Sequence, residues 1–537
     1  MIRTIVHKEF LSHLLTFRFW TAAVLCFVLV PVILNVSIRR YEERLENYRL
    51  EVDRFASEVR SQVTYSFVRP TLVRPPQVLG VLVSGIEDDL GAEVPVRLGS
   101  IAFLPSGRLY GRENPFLAAP GFMDVSFILV IVLSLFSLLL TYDAFSGEKE
   151  GGALRQMLSN QILRRQIFFG KLIGALTVVV PLVFCSFGLI VLNLALSPAV
   201  RPTSEDLLRI SLIFIATNVY ASLFLLIGLL VSARSEHSPA SLMRSMFVWV
   251  VLVLVIPGAG FHAARELSPV PSMQELSDNL RSLEADQTKA IDGISIPAPT
   301  RDLGLINFYF RSGDDGQIAV ANNTREGYDY FLAYLDAERS IRTKFAERKA
   351  AVEESYADAL ENQAMVARRL SMISPAFDFV SLAEAAGGVD EQTYRSFIPQ
   401  AQRYRLAFVR YLEEKRRADP YRYVAPQDAR TILPFAEWLP YWTNGKFTTY
   451  GELFDGRSAE EGFSRFRAAL DTTGKMAPFG ENRFPRVDVS DLPGFTYVPP
   501  SLSDGLEGAL PEFSILLAAN LLLAILALRS FNRYDVR

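Results

Sequence analysis

The sequence predicts a mainly α-helical polytopic membrane protein with six transmembrane helices and two extracytoplasmic α+β domains. Three observations lead there. Six apolar runs approach or exceed the roughly 20 residues that a helix needs to cross a bilayer. Two long polar stretches, 39–121 and 264–511, interrupt them, and the second is large enough to hold a core of its own. The composition of the 537 residues, 50% hydrophobic yet 21% charged, is that of spans plus water-exposed parts.

Residues 1–18 set Arg3, His7, Lys8 and His13 among Ile2, Ile5, Val6, Phe10, Leu11 and Leu14, the pattern of an amphipathic helix at the membrane interface. Residues 19–38 are uncharged and longer than a signal-peptide core of about 7 to 15 residues, so they read as a retained first span. In the first domain, 39–121, Tyr41, Leu45, Tyr48, Val52, Phe55 and Val59 form a heptad-like seam. The helix carrying it either packs on a partner helix or lends a face to a soluble core. Segments 78–83 and 94–103, bounded by glycines and prolines, are expected as strands.

Residues 122–142 make the second span and 168–196 the third. Pro181 lies inside the third, where membrane helices tolerate it, and Gly170 with Gly174 is a small-xxx-small packing pair. Spans four and five are 207–233 and 245–263. In the second domain, 264–511, a helix over 325–370 would reach roughly 65–70 Å at 1.5 Å per residue. Glu338, Arg342 and Lys349 break its apolar seam, and it is expected to pack on the helix leaving span one, Phe55 near Phe345. Residues 419–500, rich in Pro, Gly and aromatics, read as loops and short elements, 512–530 as the sixth span and 531–537 as a tail. Asn322-Asn323-Thr324 matches a glycosylation acceptor.

Basic residues decide the orientation. Arg3, Lys8, Arg18, Lys149, Arg155, Arg164, Arg165, Lys171, Arg234, Arg244, Arg529, Arg533 and Arg537 fall on the side of the termini, against Arg201 and Arg209 around the short opposite loop. The positive-inside rule puts the termini in the cytoplasm and both domains outside, in a cell membrane, as in a bacterial inner membrane.

Between spans two and three lies the charged stretch 143–167, a loop that must sit in water. Leu154, Met157, Leu158 and Ile162 recur in it at helical spacing, as in a short helix flat on the membrane surface. The run Tyr142-Asp143-Ala144-Phe145-Ser146-Gly147-Glu148-Lys149-Glu150-Gly151-Gly152-Ala153-Leu154-Arg155, then Leu158-Ser159-Asn160 and Phe169-Gly170-Lys171-Leu172, resembles the first cytoplasmic loop of type-2 ABC transporter permeases of the exporter class. The family pattern is met at Glu148, Lys149, Glu150, Gly152 and Leu154, while Ala153 stands where threonine is usual. Arg533-Tyr534-Asp535-Val536-Arg537 and Ser374-Pro375-Ala376 resemble a branch with large extracytoplasmic domains.

The resemblance implies that Glu148, Lys149, Glu150, Gly152, Leu154, Arg155 and Leu158 couple to a cytoplasmic ABC ATPase dimer, which holds the ATP and magnesium. It further implies a homodimer or a pairing with a similar permease, and a six-span half is in any case too small for a roomy conduit. Contact with membrane lipid and with an extracytoplasmic partner protein completes the expected surroundings. ATPase closure would push the loop helix and tilt spans two and three. A rival reading is a mechanotransmission subunit that moves its outer domains without carrying cargo.

No enzyme site and no cofactor are expected in the chain. A phosphate-binding loop needs G-x-x-x-x-G-K-[ST], and Gly445-Lys446-Phe447 and Gly474-Lys475-Met476 lack the hydroxyl residue. His7, His13, His237 and His262 are too few and scattered for a histidine-based centre, and Cys26 and Cys185 lie in apolar runs without metal-site spacing. The net charge of −3 argues against nucleic acid. Asn218 and Asn520, inside spans four and six, are candidate intramembrane polar contacts, with interhelical hydrogen bonding as their simplest role.

Overall fold

The computed structural model of the protein describes residues 2–85, 93–96, 124–159, 162–296, 324–424, 432–469 and 486–533. Six helices in it are long and apolar enough to cross a membrane, one in each expected run. Helix α1 (Ile2–Leu14) precedes α2 (Phe17–Arg60), whose 44 residues carry span one and continue without a break into the first inserted domain. There β1 (Thr71–Val73) pairs antiparallel with β2 (Glu93–Pro95), Leu72 opposite Val94. The expected strand at 78–83 is instead a 3-10 turn, Val78–Val81, that buries Leu79, Val81, Leu82 and Val83 against the spans. A short apolar run does not distinguish a strand from a buried turn. Of the strand expected at 94–103, residues 97–103 lie outside the described residues.

Span two is α3 (Val125–Ile128), a π-helical turn (Leu129–Leu133) and α4 (Ser134–Thr141). Asp124 caps it, its Oδ1 accepting from the Phe127 N–H at 2.8 Å. The loop that follows holds two short helices, α5 (Ser146–Glu150) and α6 (Ala153–Ser159). Span three is α7 (Arg164–Leu196), with Pro181 inside the helix, and span four is α8 (Ser204–Arg234), started by a Thr203–Asp206 capping box. Span five joins α9 (Ser238–Val250), a second π-helical turn (Val251–Val255) and α10 (Ile256–Leu267). Then come α11 (Met273–Asp292), α12 (Arg325–Ser371), α13 (Pro375–Gly387), α14 (Glu391–Ala418) and the short α15 (Pro420–Val424), α16 (Phe435–Thr443), α17 (Tyr450–Phe454) and α18 (Ala459–Ala469). Span six is α19 (Leu502–Asn532), which starts ten residues before the expected boundary at 512.

Span four is central. Its Tyr220, Ala221, Phe224, Leu225 and Leu229 are fully buried, and it packs on α4, α7, α9, α13 and α19. Two features of the second inserted domain differ from expectation. Helix α12, 47 residues long, packs along α10 and α11 rather than on the helix leaving span one, because its buried Tyr356 and Leu360 meet Leu276 of α11. Helix α13 does not belong to an exposed domain. It returns into the bundle, where Phe379 stacks on Tyr220 at 4.9 Å, because Ala376, Phe379, Leu382, Ala383 and Ala386 form an apolar face that only the spans can cover.

The two inserted stretches share one core. Phe397, Ala401, Tyr404 and Phe408 of α14 pack with Tyr65, Val68, Leu72 and Val94 of the first stretch. Among the described residues the regular structure of the second stretch is helical, with a single bridge between Thr324 and Leu433 and non-helical chain over 486–501. Asn322 and Asn323 lie outside the described residues, while Thr324 caps α12.

Candidate coupling site

The charged loop folds back onto the bundle, and several of its residues are held by chain far away in sequence. Span two ends in a turn at Tyr142 and Asp143, where Arg18 of α2 donates to Asp143 Oδ2 at 3.0 Å, the Tyr142 hydroxyl at 2.6 Å and the Leu139 carbonyl at 3.2 Å. The next two backbone N–H groups, of Phe145 and Ser146, donate to Ser232 Oγ of span four at 2.9 and 3.0 Å. A small hydroxyl residue can meet two adjacent N–H groups at a helix start, and Ser232 does so from outside the helix.

Glu148 points inward. Its Oε1 lies 2.9 Å from Lys8 Nζ of α1 and 2.8 Å from Lys171 Nζ of span three. Lys171, 3% exposed, also lies 2.9 Å from Glu9 Oε1. Burial alone would raise the Glu9 carboxyl. The ammonium of Lys171 and, less, those around it outweigh that effect and hold it below the usual range. Burial also lowers His13, against the pull of Glu9. Two ammonium groups, buried Lys171 and exposed Lys8, therefore face two carboxylates in a cluster that joins α1, α5 and α7.

Helix α1 can come this close because of the paired glycines. A Cβ at Gly170 would stand 2.6 Å from Ile5 Cγ2, and one at Gly174 would stand 2.6 Å from Glu9 Cβ. The small-xxx-small pair thus seats the N-terminal helix on span three.

Glu150 reaches the other way, across to span five. Its Oε1 accepts from the Ser238 N–H at 3.1 Å and its Oε2 from Ser238 Oγ at 2.8 Å. The first turn of α9 lacks a side-chain cap of its own, and Glu150 supplies one, with the charge preferred at a helix N-terminus. Lys149 lies 3.8 Å from Glu236.

Gly152 has φ +72°, a left-handed turn that favours glycine, and it separates α5 from α6. In α6, Leu154 is 2% exposed and packs with Ile5, Phe145, Phe168, Leu229 and Phe531. Phe145 stacks on Phe531 of span six at 4.2 Å. Arg155, Gln156 and Ser159 are exposed with Gly151 and Gly152, while Leu158 is half-buried. Asn160 lies outside the described residues, as do 534–537 of the C-terminal resemblance.

The coupling residues marked by the sequence therefore divide. Glu148 and Leu154 face the bundle, Glu150 bridges to span five, and Gly152 and Arg155 face outward. Sequence reading missed Glu9, Lys171, Ser232 and Ser238 as parts of the site. Two signals were present: Glu9 shares a helical face with buried Ile5, four residues earlier, and Lys171 is an ionisable residue at the start of an apolar span. Of the two asparagines, Asn520 bridges spans six and four, its Nδ2 donating to the Val219 carbonyl at 3.1 Å and its Oδ1 accepting from Ser222 Oγ at 2.6 Å. Asn218 donates to the Phe214 carbonyl of its own helix, and its Oδ1 is buried without a partner.

Six spans and a charged loop held against them by ion pairs define a multi-pass helical membrane protein. A family profile described as ABC-2 family transporter protein matches residues 3–381, and the chain belongs to that family. A domain of unknown function (DUF3526) matches residues 337–497. The chain is 28% identical over 124 residues to the probable ABC transporter permease protein NosY of Stutzerimonas stutzeri. That match takes in 23% of the chain and 45% of the relative's own length.

Proposed function

We propose that this chain is the permease half of an ATP-driven exporter, working as a dimer or paired with a similar permease on two cytoplasmic ATPase subunits that hold ATP and magnesium. The observation that carries the reading is the double anchorage of α5 and α6. Glu148 ties them to α1 and span three, and Glu150 and Ser232 tie them to spans five and four, while Gly152, Arg155 and Gln156 stay exposed. A push on this segment reaches four elements of the bundle: α1 and span three through Glu148, span five through Glu150 and span four through Ser232. In this reading Arg155 and its neighbours meet the ATPase, and Glu148, Glu150 and Leu154 pass the motion on. The basic residues on the side of the charged loop support placing that end in the cytoplasm and the inserted domains outside.

Affinity purification of the intact protein in mild detergent tests this. A nucleotide-binding subunit should copurify, and Arg155→Glu should release it while the protein stays folded. If no ATPase associates with the unmodified protein, the reading fails.

A mechanotransmission role has its own support. Helix α2 runs unbroken from span one to Val59 in the core of the inserted domains. Tilting of span one is therefore delivered directly to that core. Spin-label distances across the inserted domains that change with ATP in the absence of any cargo would favour this second reading.

A further inference from the structure

Two carboxyl groups are buried where the long helix α12, the returning helix α13 and span six converge. Asp378, in the first turn of α13, is 1% exposed, and Glu512, in α19, is 0% exposed. One cation serves them. The Arg368 guanidinium of α12 binds Glu512 Oε1 and donates a second hydrogen bond to the Gly508 carbonyl at 2.6 Å. Asp378 Oδ1 and Glu512 Oε2 are both buried without a hydrogen-bond partner.

The helix start that could stabilise an ionised Asp378 is already committed. Ser374 Oγ accepts from the Phe377 N–H at 3.3 Å, and the Asp378 N–H goes to the Ser374 carbonyl at 3.1 Å. The charged groups acting on Asp378 are Glu512 from α19 and Arg368 from α12. Span four meets α13 through Tyr220, whose hydroxyl is given to the Val130 carbonyl at 3.0 Å, and span five through the Leu252 carbonyl, which accepts from Ser374 Oγ. Further along the same helix Glu384 faces Asp124, Asp390 and Glu391, all of them acidic, as well as Arg368.

Two neighbouring carboxylates in a site of low polarity do not both ionise against a single guanidinium, since each buried charge without a partner costs several kcal/mol. The guanidinium sits on Glu512. We propose that Asp378 and Glu512 form a proton-binding site, with one proton held on Asp378 at neutral pH. The bound proton leaves one carboxylate for one guanidinium and lets α13 stay seated between α12 and span six. Its loss sets two anions against Arg368 and drives α13 away from α19. The site thereby links proton occupancy to the joint between the second inserted domain and the spans, independently of any ATPase.

The test is isotope-edited infrared spectroscopy of the intact protein in lipid nanodiscs, with carbon-13 in the aspartate side-chain carboxyls. At neutral pH the unmodified protein should show a protonated carboxyl band that shifts with the aspartate label and bleaches at alkaline pH. Asp378→Asn should remove it. Glu512→Gln should remove it too, because Arg368 is then free to pair with an ionised Asp378. Absence of a label-sensitive protonated band in the unmodified protein overturns the proposal, and so does a band that survives both substitutions. Should Asp378→Asn fail to fold, Glu512→Gln and the unmodified protein still decide. A further readout is thermal stability, which should fall in the unmodified protein as pH rises, because the folded state then holds a proton that the unfolded state releases. A cation bound in place of the proton gives no protonated band and counts against the proposal.

Discussion

Lys171 Nζ stands 2.8 Å from Glu148 Oε1, and the same ammonium reaches Glu9 Oε1 at 2.9 Å, so one buried side chain of span three fastens both α5 and the N-terminal helix. Removing it leaves both carboxylates to the exposed Lys8, which is 3.8 Å from Glu9. Lys171→Met should cost about 3–5 kcal/mol, the usual penalty for leaving buried charge uncompensated, read from unfolding in detergent. Glu148→Gln should cost less, because Lys171 keeps Glu9. The double substitution Glu148→Gln with Lys171→Met should cost less than the sum of the two, since the residues act as a unit.

Glu150 acts by capping α9. Glu150→Ala should speed hydrogen exchange at the Ser238 amide and loosen the first turn of span five, whereas Glu150→Gln should largely preserve protection, because an amide oxygen can still accept. Equal loss in both variants would show that charge rather than capping matters there.

Gly174 seats α1 on span three. Gly174→Ala puts a methyl 2.6 Å from Glu9 Cβ, and overpacking of this kind typically costs about 1–3 kcal/mol. Gly174→Leu should displace α1 outright, measured as a longer spin-label distance between α1 and span three and as faster proteolysis within α1. An unchanged distance would contradict the seating.

The Glu9 carboxyl is held below its ordinary range, so in acid the unfolded chain takes up this proton before the folded one. Its contribution to stability is complete above the ordinary glutamate value of about 4.3 and is lost as pH falls through the lower, folded value. Acid unfolding of Glu9→Gln should therefore be less steep than that of the unmodified protein across that window.

Asn520 and Asn218 should behave differently. Asn520→Leu removes the bridge between spans four and six and should cost about 0.6 kcal/mol, up to roughly 1.7. Asn218→Leu breaks only a bond within its own helix and removes a buried orphan oxygen, so it should be close to neutral. Paired unfolding measurements would separate them.

Much of the architecture was legible before any coordinates. The six spans, the continuation of the first beyond the membrane and the long helix that became α12 all rest on local signals: apolar length, helical spacing, absence of Gly and Pro. The charged loop was legible for the same reason, as charge enclosed between two apolar runs. Where the reading failed, the signal was ambiguous or remote. Residues 78–83 look equally apolar as strand or as buried turn. Helix α13, at 13 residues, is too short to register as a span, so its return into the bundle was invisible.

What composition and periodicity settle is which segments can cross a membrane and where the charged loop between them lies, because hydrophobic length and charge bias act on neighbouring residues. Which partner each polar group takes is another matter. Glu148 with Lys171, Glu150 with Ser238 and Glu512 with Arg368 come from separate helices. Such groups must be paired once they leave water, and only the packing of the helices, here through Gly170, Gly174 and the apolar face of α13, selects the pair that meets.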